Sequence, residues 1–115
     1  STLGSPLADF AYHMMTWRVP PGLFRGLGGV DLAPLGIPSE AEYLAAWCAR
    51  TGRDAPPPGW EFHVILSIFR LAAIIQGIAR RAQDGSANDP DAAAIGARAA
   101  PLADLAWAMA ERAGP

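Results

Sequence analysis

The sequence predicts an all-α protein, a bundle of four to five helices within a single domain of residues 1–115. Three observations predict this fold. Residues 60–83 carry apolar side chains at helical spacing and contain no proline. The flanking stretches hold the start and stop residues of shorter helices. No segment alternates apolar and polar residues as a half-buried strand does, and no internal repeat is present.

The composition limits the class of protein and its partners. The chain is 51% hydrophobic and 17% charged, so we expect it to fold. Its net charge is −2 and all its basic residues are arginine, which argues against nucleic acid or an anionic membrane as a partner. The single cysteine, Cys48, excludes an internal disulfide and suits a reducing compartment.

Localisation follows from the same features. The longest mainly apolar run, residues 64–79, contains Arg70 and Gln76 and is short for a membrane span. No signal-peptide pattern opens the chain. We therefore predict a cytoplasmic protein, and the absence of an initiating methionine leads us to expect a processed or truncated product.

The first helix and the connector after it are marked by proline and glycine. Ser5 is placed to cap a helix with Pro6 at its first position, and Pro20 stops that helix after about Trp17. Residues 18–38 form an irregular loop. Its glycines at 26, 28 and 29 lack the preceding strand and the following Lys-Ser/Thr of a phosphate-binding loop.

A second helix begins with a capping box of Ser39 and Glu42, in which each side chain bonds the other residue's backbone N–H. Gly52 supplies its C-terminal stop. Cys48 lies mid-helix among apolar residues with no base nearby in sequence, which favours a core thiol over a nucleophile.

The third helix, residues 60–83, is predicted to be the central one. It would be roughly 36 Å long and is apolar over most of its circumference, as expected for a helix wrapped by others. One side, predicted to face water, a groove or a partner, carries His63, Ser67, Arg70, Gly77 and Arg81. Gln76 lies on the opposite, apolar side and would need an internal partner. Gly77 is predicted to allow another backbone to come close.

The last helix is predicted to be capped by Asn88 or Asp89, with Pro90 in its first turn. Pro101 is expected to split it into residues 90–99 and 101–112. Its inward-facing residues are predicted to be Ile95, Leu102, Leu105, Ala106 and Met109, with Trp107 at the border.

Few residues carry recognisable chemistry. His13 and His63 have no ligand at zinc-binding spacing, so no metal site is predicted. His63 and Ser67, one turn apart, could be a base and a nucleophile, but a serine inside a helix favours a polar stripe against a neighbour. Arg70 is either the ion-pair partner of a neighbouring helix or the binder of an anionic ligand.

Three segments carry a resemblance to a known family. STLGSPLADFAYH at residues 1–13 resembles the S-T-L-G-D-P-L-A-D-L-A-Y-H stretch of the aminoglycoside phosphotransferase family, in the branch related to the kinase-like domain of certain acyl-CoA dehydrogenases. FRLAAIIQGIARRAQDGSA at residues 69–87 resembles that branch's F-R-L-A-A-I-x-Q-G segment. Residues 36–54 follow its P-[ST]-x-x-E-Y pattern, so the resemblance spans nearly the whole chain in order.

The resemblance implies that the chain is the C-terminal helical subdomain of a protein-kinase-like fold. It implies transfer of a phosphoryl group from ATP, with Mg, to a hydroxyl. In the family, the H-G-D catalytic loop and the D-W-E metal-binding motif come just before the residue that matches Ser1. No residue of this chain is therefore assigned to catalysis, ATP or metal. The chain alone is expected to be inactive without its partner, the missing N-terminal kinase-like portion.

The resemblance also gives candidate site residues. Asp9 matches the second aspartate of the family's G-D-P-L-A-D stretch, which implies a brace for the catalytic loop, whereas Ser5 replaces the first aspartate. Since this part of the family fold walls the acceptor pocket, the candidate wall residues are His13, Trp17, His63 and Arg70. The alternative function is an independent helical interaction module, without catalysis, that forms a homodimer.

Overall fold

A computed structural model describes residues 5–84 and 94–113, except for the side chains of residues 82–84. The described residues include the α-helices α1 (Pro6–Met14), α2 (Glu40–Thr51), α3 (Trp60–Asp84) and α4 (Ala99–Ala113). Short 3-10 helices span Met15–Trp17 and Ala33–Leu35. The described residues include no strand, so the predicted all-α class is confirmed.

The chain divides into two compact units, residues 1–64 and residues 65–115. The first unit holds α1, α2 and the first turn of α3. The second holds the rest of α3 together with α4.

The helices α1 and α2 both begin where the sequence predicts. The Ser5 hydroxyl accepts a hydrogen bond from the Ala8 N–H at 3.3 Å, and Pro6 is the first helical residue. The capping box of Ser39 and Glu42 is complete, with bonds of 3.1 and 3.0 Å. These bonds satisfy N–H groups that the first turn of a helix otherwise leaves without partners.

The loop of residues 18–38 folds back onto the end of α1. The Leu27 N–H donates to the Thr16 carbonyl at 2.8 Å, and the Gly28 N–H donates to the Val19 carbonyl at 2.9 Å. A Cβ added at Gly26 would lie 1.6 Å from the Val19 carbonyl oxygen. The close approach of two backbone segments therefore explains why glycine occupies position 26.

The long helix α3 has the predicted bounds to within one residue. Val64 and Ile68 are completely buried, and Ile75 is almost so. By length and composition alone, Trp60–Arg81 (22 residues, mean hydropathy 1.8) could also cross a membrane. That span is longer than the run of residues 64–79 considered from the sequence. The core helix of a soluble protein passes the same test.

The prediction of which side of α3 is exposed was partly wrong. Ser67, on the predicted outward side, is buried, whereas Gln76, on the predicted inward side, is exposed. Leu66 and Ile74 are 46% and 42% exposed. The physical reason is that the elements packed against a helix decide which side is buried, and a helix with apolar residues nearly all round does not reveal that side by its pattern.

The predicted backbone approach at Gly77 is not found among the residues that the structure describes. Among the described residues, a Cβ at Gly77 would meet only the Arg81 side chain of the same helix. In the second unit the close approach lies at Gly96 instead, where a Cβ would come within 2.4 Å of the Ala79 methyl group. The glycine that permits close packing therefore lies in the helical stretch of residues 94–96 and not on α3.

The C-terminal segment differs from its prediction at the proline. Residues 94–96 are helical, a turn occupies residues 97 and 98, and α4 then runs unbroken through Pro101. Because Pro101 is in the first turn of α4, its missing N–H costs no helical hydrogen bond. Leu102, Ala106 and Met109 are buried, as predicted, and Trp107 is 62% exposed. The predicted cap at Asn88 or Asp89 and the proline at position 90 lie outside the described residues.

Candidate functional site

An aromatic cluster covers one side of α1 and α2 in the first unit. We define it by the rings of Phe10, His13, Trp17, Tyr43 and Trp47. The Phe10 ring stacks on Trp47, with centroids 4.1 Å apart and planes inclined by 6°. Tyr43 lies 5.7 Å from His13 and 5.1 Å from Trp17, measured between ring centroids. The spacing of these rings is typical of favourable aromatic packing, so the cluster fixes α1 against α2.

Two of the predicted wall residues belong to this cluster. His13 is exposed in the last turn of α1, and its ring meets Trp17 edge-on at 5.9 Å. The Trp17 indole N–H donates to the Pro38 carbonyl at 3.0 Å, which fixes the orientation of that ring. His13 and Trp17 thus form a connected surface, and Tyr43 contacts both rings.

A charged group, which we call the Arg18 clamp, lies beside the cluster. It consists of Arg18, Glu40, Glu61 and Trp60. The Arg18 guanidinium forms an ion pair with Glu40 through Nε and a second bond of 2.8 Å through one terminal nitrogen. It also donates two bonds of 3.0 Å to the Glu61 carboxylate. The clamp therefore joins the end of the 3-10 helix Met15–Trp17 to the first residues of both α2 and α3.

The Arg18 clamp shifts the pKa values of Arg18 and Glu40. The hydrogen bonds that the Arg18 side chain donates to Glu40 raise the pKa of Arg18 above its ordinary value, although partial burial opposes the change. Burial by itself raises the pKa of Glu40. The hydrogen bonds and positive charge of Arg18 outweigh it, so the pKa of Glu40 lies below its ordinary value of 4.5. Both groups are therefore charged at neutral pH.

A shallow cavity of about 440 Å³ opens next to the clamp, also within the first unit. Its walls are mostly apolar and come from α2, from the loop at residues 55 and 56, and from the start of α3. They are Glu40, Ala41, Leu44, Ala45, Ala55, Pro56 and Trp60. The Trp60 indole N–H donates to Glu40 at 3.3 Å, so the one carboxylate on the cavity wall is already hydrogen-bonded.

The other candidate residues are spread over the two units. Asp9 is exposed in the first turn of α1. His63 is half-buried at the start of α3, in the first unit. Arg70 is exposed in the second unit. Of the four candidate wall residues, His13 and Trp17 are therefore the two that a ring contact joins to each other.

Sequence reasoning missed the Arg18 clamp. Its members are 22 and 43 residues apart along the chain, and no short motif links an arginine to carboxylates at such separations. The described residues contain no group of three His, Cys, Asp or Glu side chains that could hold a metal ion.

Comparison with known proteins agrees with the resemblance seen in the sequence. A crystal structure of a Ralstonia eutropha protein assigned as an aminoglycoside phosphotransferase shares 45% identity with this chain, with a TM-score of 0.83. The match covers 95% of this chain and 33% of that one. No protein-family model matches the chain.

Curated relatives come from the branch that the sequence indicated. Acyl-CoA dehydrogenase family member 10 of Mus musculus is 38% identical over 99% of this chain. Acyl-CoA dehydrogenase family member 11 of Homo sapiens is 30% identical over 97% of it. The chain spans only 11% and 14% of the length of these two relatives.

The helical fold and these matches show that the chain is similar to a helical portion of a kinase-like phosphotransferase. Over nearly its whole length it is similar to an aminoglycoside phosphotransferase and to acyl-CoA dehydrogenase family members 10 and 11.

Proposed function

We propose that this chain is the C-terminal helical part of an ATP-dependent phosphotransferase that acts on a small molecule, and that it supports the catalytic loop and walls the acceptor pocket. The observation that carries the proposal is the match over 95% of the chain to one third of a phosphotransferase structure.

The proposed role of Asp9 rests on its position. It is exposed in the first turn of α1, so its carboxylate is open to a group from outside this chain. The family resemblance implies that the residue at this position braces the backbone of the catalytic loop. A carboxylate that accepts backbone N–H bonds stays ionised and holds a loop in one conformation. Asp9 would thus position the catalytic loop without taking part in the chemistry.

The proposed acceptor wall rests on the aromatic cluster. The rings of His13 and Trp17 contact each other, and the Arg18 clamp secures the end of the 3-10 helix that carries Trp17. Rigid elements of this kind hold a bound substrate in a fixed geometry. His63 and Arg70 are retained as candidate wall residues on the basis of the family resemblance.

A chimera would test the proposal. In it, this chain replaces the third of the Ralstonia eutropha protein that it matches. We expect the chimera to bind Mg-ATP and hydrolyse it slowly, and Asp9→Asn to lower kcat at least about ten-fold, the scale on which misplaced catalytic groups act.

The matched control is Asp54→Asn, which removes another exposed carboxylate of the first unit and should leave kcat unchanged. Equal effects of the two substitutions would refute the role of Asp9. His13→Ala and Trp17→Ala should raise KM for the acceptor, once one is found, more than they lower kcat.

The second candidate function is a helical interaction module without catalysis. The observation that favours it is the exposure of large apolar side chains on α3 and α4, since such surfaces promote association. Sedimentation of the isolated chain tests it. A concentration-dependent dimer would support a homodimeric module, and a monomer at high concentration would refute it.

A further inference from the structure

The cavity of about 440 Å³ beside the Arg18 clamp has no part in the proposed function. Its walls come from α2, from the loop at residues 55 and 56 and from Trp60, and all of these lie in the first unit. A volume of this size is within the range of small-molecule pockets. The cavity therefore offers room for a small ligand among residues of this chain alone.

Two kinds of surface meet in this cavity. The side chains of Ala41, Leu44 and Ala45 form an apolar wall on α2, which favours an apolar group on the ligand. Among the described residues that line the cavity, Glu40 is the one with a charged side chain. A mostly apolar pocket with one polar group is typical of sites in which that group fixes the orientation of the ligand.

The Glu40 carboxylate retains capacity for a further hydrogen bond. An ionised carboxylate has about four acceptor positions. Arg18 donates one hydrogen bond to each Glu40 oxygen, and the Trp60 indole N–H donates a second one to Oε2. Oε1 therefore keeps one acceptor position, and the Glu40 side chain is 22% exposed.

The charge beside the cavity is negative. The Arg18 guanidinium is shared by the carboxylates of Glu40 and Glu61, so these three side chains carry one positive and two negative charges, a net charge of −1. The Trp60 indole lines the same cavity, and an aromatic ring attracts a cation that lies over its face. The surroundings of the cavity thus favour a positively charged group on the ligand.

We propose that this cavity binds a small organic monocation, with an ammonium group at Glu40 and an apolar body against α2. An anion would face the Glu40 carboxylate, and a polycation would leave its further charges without a partner on the apolar walls. The N-terminal ends of α2 and α3 favour negative charge, but the carboxylates of Glu40 and Glu61 already lie there. The inference goes beyond the proposed function and does not depend on it.

Titration of the isotope-labelled chain with phenethylamine, followed by nuclear magnetic resonance, tests the proposal. At neutral pH this probe is a monocation with a flat apolar body, and phenethyl alcohol and phenylpropionate are its neutral and anionic counterparts. We expect phenethylamine to shift the indole N–H resonance of Trp60, whose hydrogen bond ends on Glu40. It should bind at least about five-fold more tightly than the alcohol, the scale of a partly exposed ion pair with a cation–π contact. Phenylpropionate should bind more weakly than either.

Substitutions locate the bound probe. Ala45→Leu fills the cavity and should weaken phenethylamine binding at least about five-fold. Ala46→Leu is the matched control, because Ala46 is exposed on the same helix and does not line the cavity, and it should leave the affinity unchanged. Glu40→Gln should abolish the preference for the amine over the alcohol.

Three results would overturn the proposal. Equal affinity for phenethylamine and phenethyl alcohol would refute the ammonium site. The same affinity in Ala45→Leu and Ala46→Leu would place the probe outside the cavity. The absence of a saturable shift at Trp60 up to the solubility limit of phenethylamine would show that the cavity binds no such cation. The comparison of probes on the unaltered chain is decisive even if Glu40→Gln fails to fold.

Discussion

Replacing Arg18 by methionine should destabilise the first unit by about 2–3 kcal/mol. The guanidinium is 26% exposed and pairs with Glu40, which is 22% exposed, and with Glu61, which is 46% exposed. Exposed ion pairs contribute about 0–1 kcal/mol, and breaking a fully buried pair costs about 3–5 kcal/mol. The Arg18 clamp lies between these limits because loss of Arg18 leaves the half-buried Glu40 carboxylate without its main partner.

Urea unfolding at pH 7, followed by far-UV circular dichroism, measures this effect. Arg25→Met is the matched control, because Arg25 is an exposed arginine of the same loop, and it should change the free energy of unfolding by less than about 0.5 kcal/mol. Glu61→Gln should cost less than about 1 kcal/mol because Glu61 is the more exposed partner.

The double variant Arg18→Met/Glu40→Met separates two causes of lost stability. One is the cost of leaving the half-buried Glu40 carboxylate unpaired, and the other is a general loss of packing. Removing both charges leaves no unpaired carboxylate, so the double variant should recover at least half of the loss caused by Arg18→Met. The reasoning is refuted if Arg18→Met costs no more than Arg25→Met. It is also refuted if the double variant is no more stable than Arg18→Met alone.

Three further predictions concern the first unit. Gly26→Ala should destabilise by about 1–3 kcal/mol, because its Cβ would overlap the Val19 carbonyl oxygen, whereas Gly22→Ala, with open space around it, should be nearly neutral in the same urea assay. Ser39→Ala should cost about 1 kcal/mol by loss of the cap, and an unchanged melting temperature would contradict it. The pKa of Glu40 is lowered on folding, so its contribution to stability is present above pH 4.5 and is lost as the pH falls below that value. Urea unfolding is therefore measured at several pH values between roughly 6 and 3. The free energy of unfolding should fall less steeply with decreasing pH for Glu40→Gln than for the unaltered chain.

The helix boundaries were predictable because their signals are local. A capping serine and the residue three positions later define the start of α2, and a glycine with φ of 69° ends it at Gly52. The start of α1 at Pro6 follows the same logic. These signals depend on neighbours in sequence, so they can be read without knowing the fold.

The buried side of α3 could not be predicted, because burial depends on elements that are distant in the sequence. Helical period alone places Gln76 among apolar residues, yet it is exposed because burial depends on where other elements pack. Gly77 and Gly96 illustrate the same limit, since the close approach predicted at the first lies at the second. Pro101, expected to break a helix, is in fact part of the first turn of one.

The candidate site was predictable only in part. The family resemblance pointed to His13 and Trp17, which the structure brings together, and to Asp9, which is exposed. It did not point to Arg18, because the clamp joins residues that are far apart in sequence and belong to no motif. Helical spacing likewise marks Tyr43 and Phe10 only as residues of two separate helices, and their shared surface emerges when those helices pack together.

Calorimetric titration with Mg-ATP tests the central claim most directly, because the claim is that this chain is a supporting part whose nucleotide-binding groups lie elsewhere. The isolated chain is expected to give no saturable heat, and the chimera is expected to bind one equivalent of nucleotide. Stoichiometric binding of Mg-ATP by the isolated chain would contradict the account.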